Sequence, residues 1–518
     1  MTTITEKMSR SRVDGFLRAD GKRMVNGKGE EVLLTGMGVG NWLVPEGYMW
    51  RFEGNYNSPR RIEGLVKDLC GSVYAAYFWK RFRENYISEK DVKAMADAGF
   101  NSVRLPINWR LLMEDEPGIV WKEDGFRLID RFVDWCEKWR LYVILDIHCA
   151  PGGQTGSNID DSVDNIPRLF TDTRSDSWEK ALELWCEIAR RYKDRWIVGM
   201  YDFLNEPCRS PMPDVPELPN LDHRLKAFYK EVIARVREID TVHMLSLEGP
   251  QWATRVEIFD EHYDDNMCLH FHRYWLPPVP GAYNAYLKKQ EQWNYPLYLG
   301  ETGENHMEWF SAMYPISAEL NIGYNIWPWK KMDTGNSPCS VRKPEGWNAI
   351  IGYTAGGDRP SYEEAQKIFD EYLENCLFEN CDYVADVVPS IFRRPGCSIR
   401  ARAWKAMQNV STVDREGNPT EDWEKSAVCF GTDSWAEYTF YAEDDAGVLT
   451  FEADFDGVTL EVTENGQTLL RTTVSGRREI RVPKKNTGDS LVRISCVRGH
   501  FTLFRIVYSK NETGCDNS

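Results

Sequence analysis

No run of about eighteen apolar residues occurs in this 518-residue chain, so no stretch of it reads as a transmembrane helix. The segment Met1 to Val13 is polar and lacks the apolar centre of a signal peptide. A basic excess is missing too. The formal net charge is -17, which repels phosphates and anionic membranes, so neither nucleic-acid binding nor membrane insertion is expected. The 13 cysteines are odd in number, scattered, and never spaced as CxxC, which reads most simply as free thiols in a reducing cytosol. Removal of a signal would leave the same N-terminus, so secretion stays open. No repeat or low-complexity tract organises the chain. What is present is a composition of 42% hydrophobic and 28% charged residues, enough to bury a large core. The length calls for a large domain plus a smaller one. Twenty tryptophans allow two readings, flat faces for sugar C–H surfaces or filling for a large interior.

Apolar strand-like runs recur eight times between Glu31 and Trp329, at Val32–Gly38, Ser102–Ile107, Tyr142–His148, Ile197–Glu206, His243–Glu248, Met267–Tyr274, Leu297–Thr302 and Gly323–Trp329. Several, such as Tyr142-Val-Ile-Leu-Asp-Ile, are apolar on both faces, as buried parallel strands must be. Helical patterns fill most gaps. Ser88-Glu-Lys-Asp91 reads as an N-terminal cap before Val92, Met95 and Ala96, with Gly99 as the stop. Leu182, Trp185, Ala189 and Tyr192 form one helical stripe. Alternating strands and helices predict an α/β fold, a (β/α)8 TIM barrel over residues 1–385. After the helix Tyr362–Cys376 the texture becomes short alternating runs, among them Val448–Ala453, Thr459–Thr463, Leu491–Cys496 and Phe501–Val507, with a hairpin signal at Asn465-Gly466. They predict an antiparallel β-sandwich over residues 395–510, followed by a tail, 511–518.

In such a barrel, chemistry sits at the C-terminal ends of the strands. Those ends carry Arg104, His148, Asn205-Glu206, His272 with Tyr274, Glu301, and Trp327 with Trp329. Glutamates on strands 4 and 7 face each other across a small barrel and can stand about 5 Å apart, a separation suited to a nucleophile and an acid/base acting on an anomeric carbon.

The stretches Asn205-Glu206-Pro207, Gly300-Glu301 and Val103-Arg104-Leu105-Pro106 resemble glycoside hydrolase family 5. Three others are similar to its exo-β-1,3-glucanases: Gly40-Asn-Trp-Leu-Val-Pro-Glu46, Lys90-Asp-Val-Lys-Ala-Met-Ala-Asp-Ala-Gly-Phe-Asn101, and Asp146-Ile-His-Cys-Ala-Pro-Gly-Gly-Gln154. The resemblance covers roughly residues 20–335. It implies a cofactor-free retaining glycosidase, exo-acting on β-glucosides, with Glu206 as acid/base and Glu301 as nucleophile. Arg104 and Tyr274 would hold Glu301 ionised, Asn205 the sugar 2-hydroxyl, and His148 and His272 the same site. Trp327 would floor it, with Trp329 as the alternative, and Glu46 would grip the outer hydroxyls of a terminal sugar.

Alternatives remain at this point: an endo-β-glucanase, a glycosidase for another sugar, glycolipid or disaccharide glycoside, and a non-catalytic carbohydrate-binding protein. Glu46 also has Arg51 and Arg61 as potential ion-pair partners. Cys268-x-His270-x-His272 places three potential ligands on one strand face, but no further Cys/His cluster completes a zinc site, and none is expected. His270 reads as a packing residue, and Asp160 and Asp161 as either solvated or substrate-facing. The chain departs from the family pattern at Asn41, at Pro328, in the insertion Met49–Phe82 and in the loop Cys208–Pro219. The latter two are expected to form the rim of the sugar site. Asp433-Ser-Trp-Ala-Glu-Tyr-Thr-Phe440 resembles a strand of family-6 or family-35 carbohydrate-binding modules, while a sandwich that only braces the barrel fits equally. The sequons at Asn409 and Asn511 carry meaning only on secretion. Oligomeric state is not legible.

Overall fold

The computed structural model describes residues 2–52, 54–209, 220–442 and 447–510. Eight parallel strands close into a barrel. They are β1 (Thr35–Gly38), β2 (Ser102–Asn108), β3 (Tyr142–Cys149), β4 (Val198–Asp202), β5 (Met244–Glu248), β6 (Met267–Tyr274), β7 (Leu297–Gly303) and β8 (Gly323–Trp327). All eight predicted runs are there, in order. β2 and β3 are buried at every position, which accounts for their unbroken apolar texture. Ser88 and Asp91 form the predicted capping box of the helix Glu89–Ala98, which Gly99 ends. The stripe Leu182, Trp185, Ala189 and Tyr192 is buried on the helix Ser177–Tyr192.

The insertion behaves otherwise than expected. Most of it is a long helix, Pro59–Asn85, broken at Gly71 and laid against the helix Tyr362–Asn375. Its aromatics do not rim a sugar site. Trp50 is fully buried, with Phe52, Phe78, Trp79, Phe82, Trp347 and Tyr372 around it at ring separations of 4.7–6.2 Å. The tryptophan excess therefore goes largely into packing, and among the described residues Trp275 is the strongly exposed one, at 73%.

The C-terminal domain is antiparallel: β9 (Cys397–Arg400), β10 (Ala406–Val413), β11 (Ala427–Ala442), β12 (Gly447–Glu464), β13 (Gln467–Val474), β14 (Arg477–Lys484) and β15 (Gly488–Lys510). Runs that look separate in sequence are halves of single strands. Val448–Ala453 and Thr459–Thr463 both lie in β12, and Leu491–Cys496 and Phe501–Val507 both lie in β15. The first half of β12 pairs with β14 and the second with β13, and register shifts near Asp456 mark the change of partner. Apolar residues from both halves share one core. Asn465-Gly466 makes the predicted two-residue turn, both at positive φ.

Among the contacts that join this domain to the barrel, which include the ion pair Arg400–Glu308, two stand out. The first is Arg393, buried, whose guanidinium donates to the carbonyls of Ser311 (2.6 Å), Ala403 (2.8 Å) and Thr439 (2.9 Å). The second is an N-terminal clasp: the backbone N–H groups of Ile4 and Thr5 donate to Asp489 at 2.7 and 2.8 Å. Asn511 and the tail lie outside the described residues. Arg393→Met keeps the apolar stem but strands three buried carbonyls, so it should destabilise the protein by about 3 kcal/mol. Denaturant unfolding monitored by tryptophan emission checks this, and an unchanged midpoint would mean the join does not depend on that guanidinium.

Candidate active site

The catalytic end of the barrel is assembled around Arg104. Although expected at a strand end, it is the third residue of β2 and is fully buried. Its Nε donates to Asp202 at 2.9 Å, and one terminal nitrogen reaches Asn205 (2.9 Å), Glu248 (3.0 Å) and Asp146 (3.1 Å). The other terminal nitrogen donates to Glu301. Burial disfavours its charge, but the surrounding carboxylates outweigh burial and push its pKa up.

This arrangement fixes the polarity of the neighbouring groups. Arginine can only donate, so Asn205 must turn its carbonyl oxygen to Arg104 and its amide to His148, 3.3 Å away. His148 Nε2 then accepts, and its Nδ1–H donates to Asp146 at 2.8 Å. Burial pushes the His148 pKa down to about 4, so the ring is neutral.

Glu206 lies beyond the end of β4, which stops at Asp202 rather than running to Glu206 as expected. It has φ +46, unusual for a residue with a side chain. Three bonds hold it there: its backbone N–H donates to Glu248 at 2.6 Å, Thr155 Oγ1 donates to its carbonyl at 2.6 Å, and its Oε1 lies 2.8 Å from His272 Nδ1. Glu301 accepts from Tyr274 at 2.9 Å, and its Oε2 is 3.6 Å from the same His272 nitrogen. One oxygen of each glutamate lies within 4.8 Å of the other. Burial raises the pKa of Glu206, and the charges of Glu301 and Glu248 add to this against the pull of His272. Burial pushes Glu301 the same way, but His272, Arg104 and the Tyr274 hydroxyl overcome it, and its pKa is lowered. Two similar carboxyls are thus driven apart, one toward holding a proton and one toward losing it.

Trp327 ends β8 with its ring parallel to His148, 5.5 Å between centroids, and donates its Nε1–H to Tyr48 at 2.9 Å. A Cβ on Gly38 or Gly40 would come within 2.5 Å of that ring, so glycine is what lets β1 and its loop pass it. Glu46 is buried beside this group. It pairs with neither candidate arginine: Arg51 goes to Asp333, and Arg61 to Asn57 and Asn165. Its Oε1 is buried with no hydrogen-bond partner, and burial together with Glu301, Glu304 and Glu206 holds its pKa well up.

The structure thus brings together Glu46, Arg104, His148, Asn205, Glu206, His272, Tyr274, Glu301 and Trp327. Trp329 is a correction. β8 ends at Trp327, so strand alternation does not carry two residues on, and Trp329 is fully buried with its Nε1–H on Asp91 at 3.1 Å. Asp160 and Asp161 are also buried and structural: the first accepts backbone N–H groups of Thr155, Gly156 and Ser162, and the second binds Arg60 and Arg110. His270 packs between Ser246 (2.7 Å) and His272 (3.0 Å). Glu248, His270 and His272 bring three potential ligand atoms within 4.8 Å, but each already serves the network, and Cys268 faces Met200. Of the loop Cys208–Pro219, residues 210–219 lie outside the described residues. Glu248 was not anticipated. It ends β5, and the strand-end rule that selected the others could have found it.

A parallel eight-stranded barrel with two facing carboxyls at its mouth is an arrangement suited to glycoside hydrolysis. The family model for cellulase, glycosyl hydrolase family 5, matches residues 70–333, and the chain belongs to that family. A beta-xylosidase of Phanerodontia chrysosporium is 30% identical over 300 residues, 57% of this chain and 59% of that protein. The chain thus spans well under two thirds of that relative. Endoglucanase C of Acetivibrio thermocellus is 25% identical over 318 residues, 49% of this chain and 88% of that one. A solved endogalactoceramidase, 16% identical with a TM-score of 0.50, covers 95% of this chain over 99% of its own, and so has the same fold through both domains.

Tyr274→Phe removes a donor from Glu301 and should raise its pKa. The acidic limb of kcat/KM should move up by about half to one pH unit, the equivalent of one ~1 kcal/mol hydrogen bond, while the alkaline limb stays. A pH profile on an aryl β-glycoside measures both limbs. Movement of the alkaline limb alone would attach Tyr274 to the wrong carboxyl.

Proposed function

We propose that this chain is a retaining, exo-acting β-glycosidase that removes single sugars, β-glucose first among them, from the non-reducing end of a β-glycoside. Glu301 attacks the anomeric carbon while Glu206 protonates the departing oxygen, and Glu206 then takes a proton from the water that releases the sugar. The observation that carries the retaining mechanism is the pair of oxygens within 4.8 Å, too close for a water to work between carboxylate and sugar. Asn205 has its amide turned outward from Arg104, with hydrogen-bonding capacity left for a sugar hydroxyl.

Exo action rests on Glu46. A buried carboxyl oxygen with no partner in the protein suits a ligand that supplies one, and the outer hydroxyls of a terminal sugar do so. A further sugar on those oxygens would leave Glu46 buried and unsatisfied. The name of the beta-xylosidase relative supports removal of single β-linked sugars and makes xylose the second sugar to test. The endoglucanase relative keeps internal cleavage as the competing mode.

The first-formed product should keep the β configuration, read by proton NMR before mutarotation; an initial α anomer would refute the assignment of both glutamates. Glu46→Ala should lower kcat/KM by a factor equivalent to about 1–3 kcal/mol of transition-state binding, the range for losing a partner of a buried polar group. Viscometry on a soluble β-glucan is the companion measurement. Rapid thinning with little free monosaccharide would defeat the exo reading.

A further inference from the structure

Beyond Tyr48 lies a second, open groove of about 800 Å³, lined by Arg51, Asn305, His306, Asp333, Thr334 and Asn336. Met307, Met332 and the Tyr48 ring add apolar surface beside these donors and acceptors, a mixture that suits the C–H faces and hydroxyls of a sugar. The groove and the catalytic end meet at Tyr48. Tyr48 belongs to both, since it lines the groove while its hydroxyl accepts the Trp327 indole N–H at 2.9 Å. Lys331 stands over the Tyr48 ring, 5.7 Å from its centre, and Lys331 Nζ reaches Glu304 Oε1 at 2.8 Å. Glu304 follows Gly303, the residue paired with Trp327 in the β7–β8 register, and Lys331 is four residues beyond Trp327. The pair therefore joins the segments that follow β7 and β8, the second being the short strand Lys330–Met332, and it is largely covered, with side-chain exposures of 14% and 16%. Glu304 takes φ +49 to make it, a left-handed conformation costing a side-chain-bearing residue about 1 kcal/mol or more.

We infer that the Lys331–Glu304 ion pair, laid across Tyr48, is the wall that limits the glycone site to one sugar, and that the groove behind it is a seat for a second β-linked sugar. This rests on the exo reading above. Neither residue touches the reacting centre. Removing both partners together leaves neither charge uncompensated, so the double variant should keep the barrel folded. What the pair supplies is a closed end: with it in place a disaccharide cannot extend past the terminal sugar, and without it the chain can run on into the groove.

The test compares wild type with Lys331→Ser/Glu304→Ser on p-nitrophenyl β-glucoside and β-cellobioside, with the xyloside and xylobioside run in parallel. Products are resolved by chromatography at early times. Wild type should release monosaccharide only. The double variant should keep at least about a tenth of its turnover on the monoglycoside. It should also gain about tenfold or more in direct release of nitrophenol with intact disaccharide. Should the double variant misfold, Lys331→Ser alone is read in the same way. A folded, active variant that still yields only monosaccharide overturns the wall. Disaccharide from the unmodified enzyme would instead defeat the exo reading, so the two failures are told apart.

Discussion

Arg104 is buried among Asp146, Asp202, Glu248 and Glu301, and the arrangement of the catalytic end follows from what that burial demands. A guanidinium without water needs anionic acceptors, and acceptors brought inside need donors in turn. Asp146 finds one in His148, and Glu248 finds one in the backbone of Glu206. Each solution places a group of the site. Asn205 is oriented because arginine cannot accept, and the His148 tautomer follows from Asn205. The upper barrel interior, where aliphatic layers are usual, is here a charged network whose members cannot be exchanged singly without leaving an uncompensated charge.

The same network separates the two glutamates. Glu301 touches Arg104 and Tyr274 and sits close to the His272 ring, so negative charge is favoured on it despite burial. Glu206 has one cationic neighbour and two anionic ones, and is desolvated as well. His272 lies between them with its Nδ1 on Glu206 and its Nε2 3.4 Å from Glu248. Burial opposes its charge, but Glu248 and Glu301 hold its pKa well above the usual histidine value. Positive charge is thus favoured on the ring, which lies against both carboxyls but closer to Glu206.

Much of this was legible before the fold was known, because a buried parallel strand writes itself as an apolar run and its catalytic residues follow the run. Glu206, Glu301, Arg104, His148, His272 and Trp327 were all reachable that way. Trp329 was misplaced because a period of two was extended past the strand's end. The aromatics of the insertion were given to a sugar rim, since composition cannot distinguish a tryptophan that stacks on ligand from one that fills a second core. Glu304 and Lys331 gave no signal, for their pairing depends on the segments after β7 and β8 meeting in space. The long strands of the C-terminal domain looked like twice as many short ones, because a bulge interrupts alternation as a turn does. In the stretch likened to a carbohydrate-binding strand, Trp435 has the Arg493 guanidinium 4.1 Å over its ring.

The N-terminal clasp has a consequence for how the molecule comes into being. The backbone donors of Ile4 and Thr5 meet Asp489, which leaves the ribosome 485 residues after Ile4. The donor of Ile4 therefore waits while a further 485 residues are made, and the barrel it borders is complete before that acceptor exists. The clasp can form only after the antiparallel domain has been made, and it ties the segment before the barrel to the domain after it.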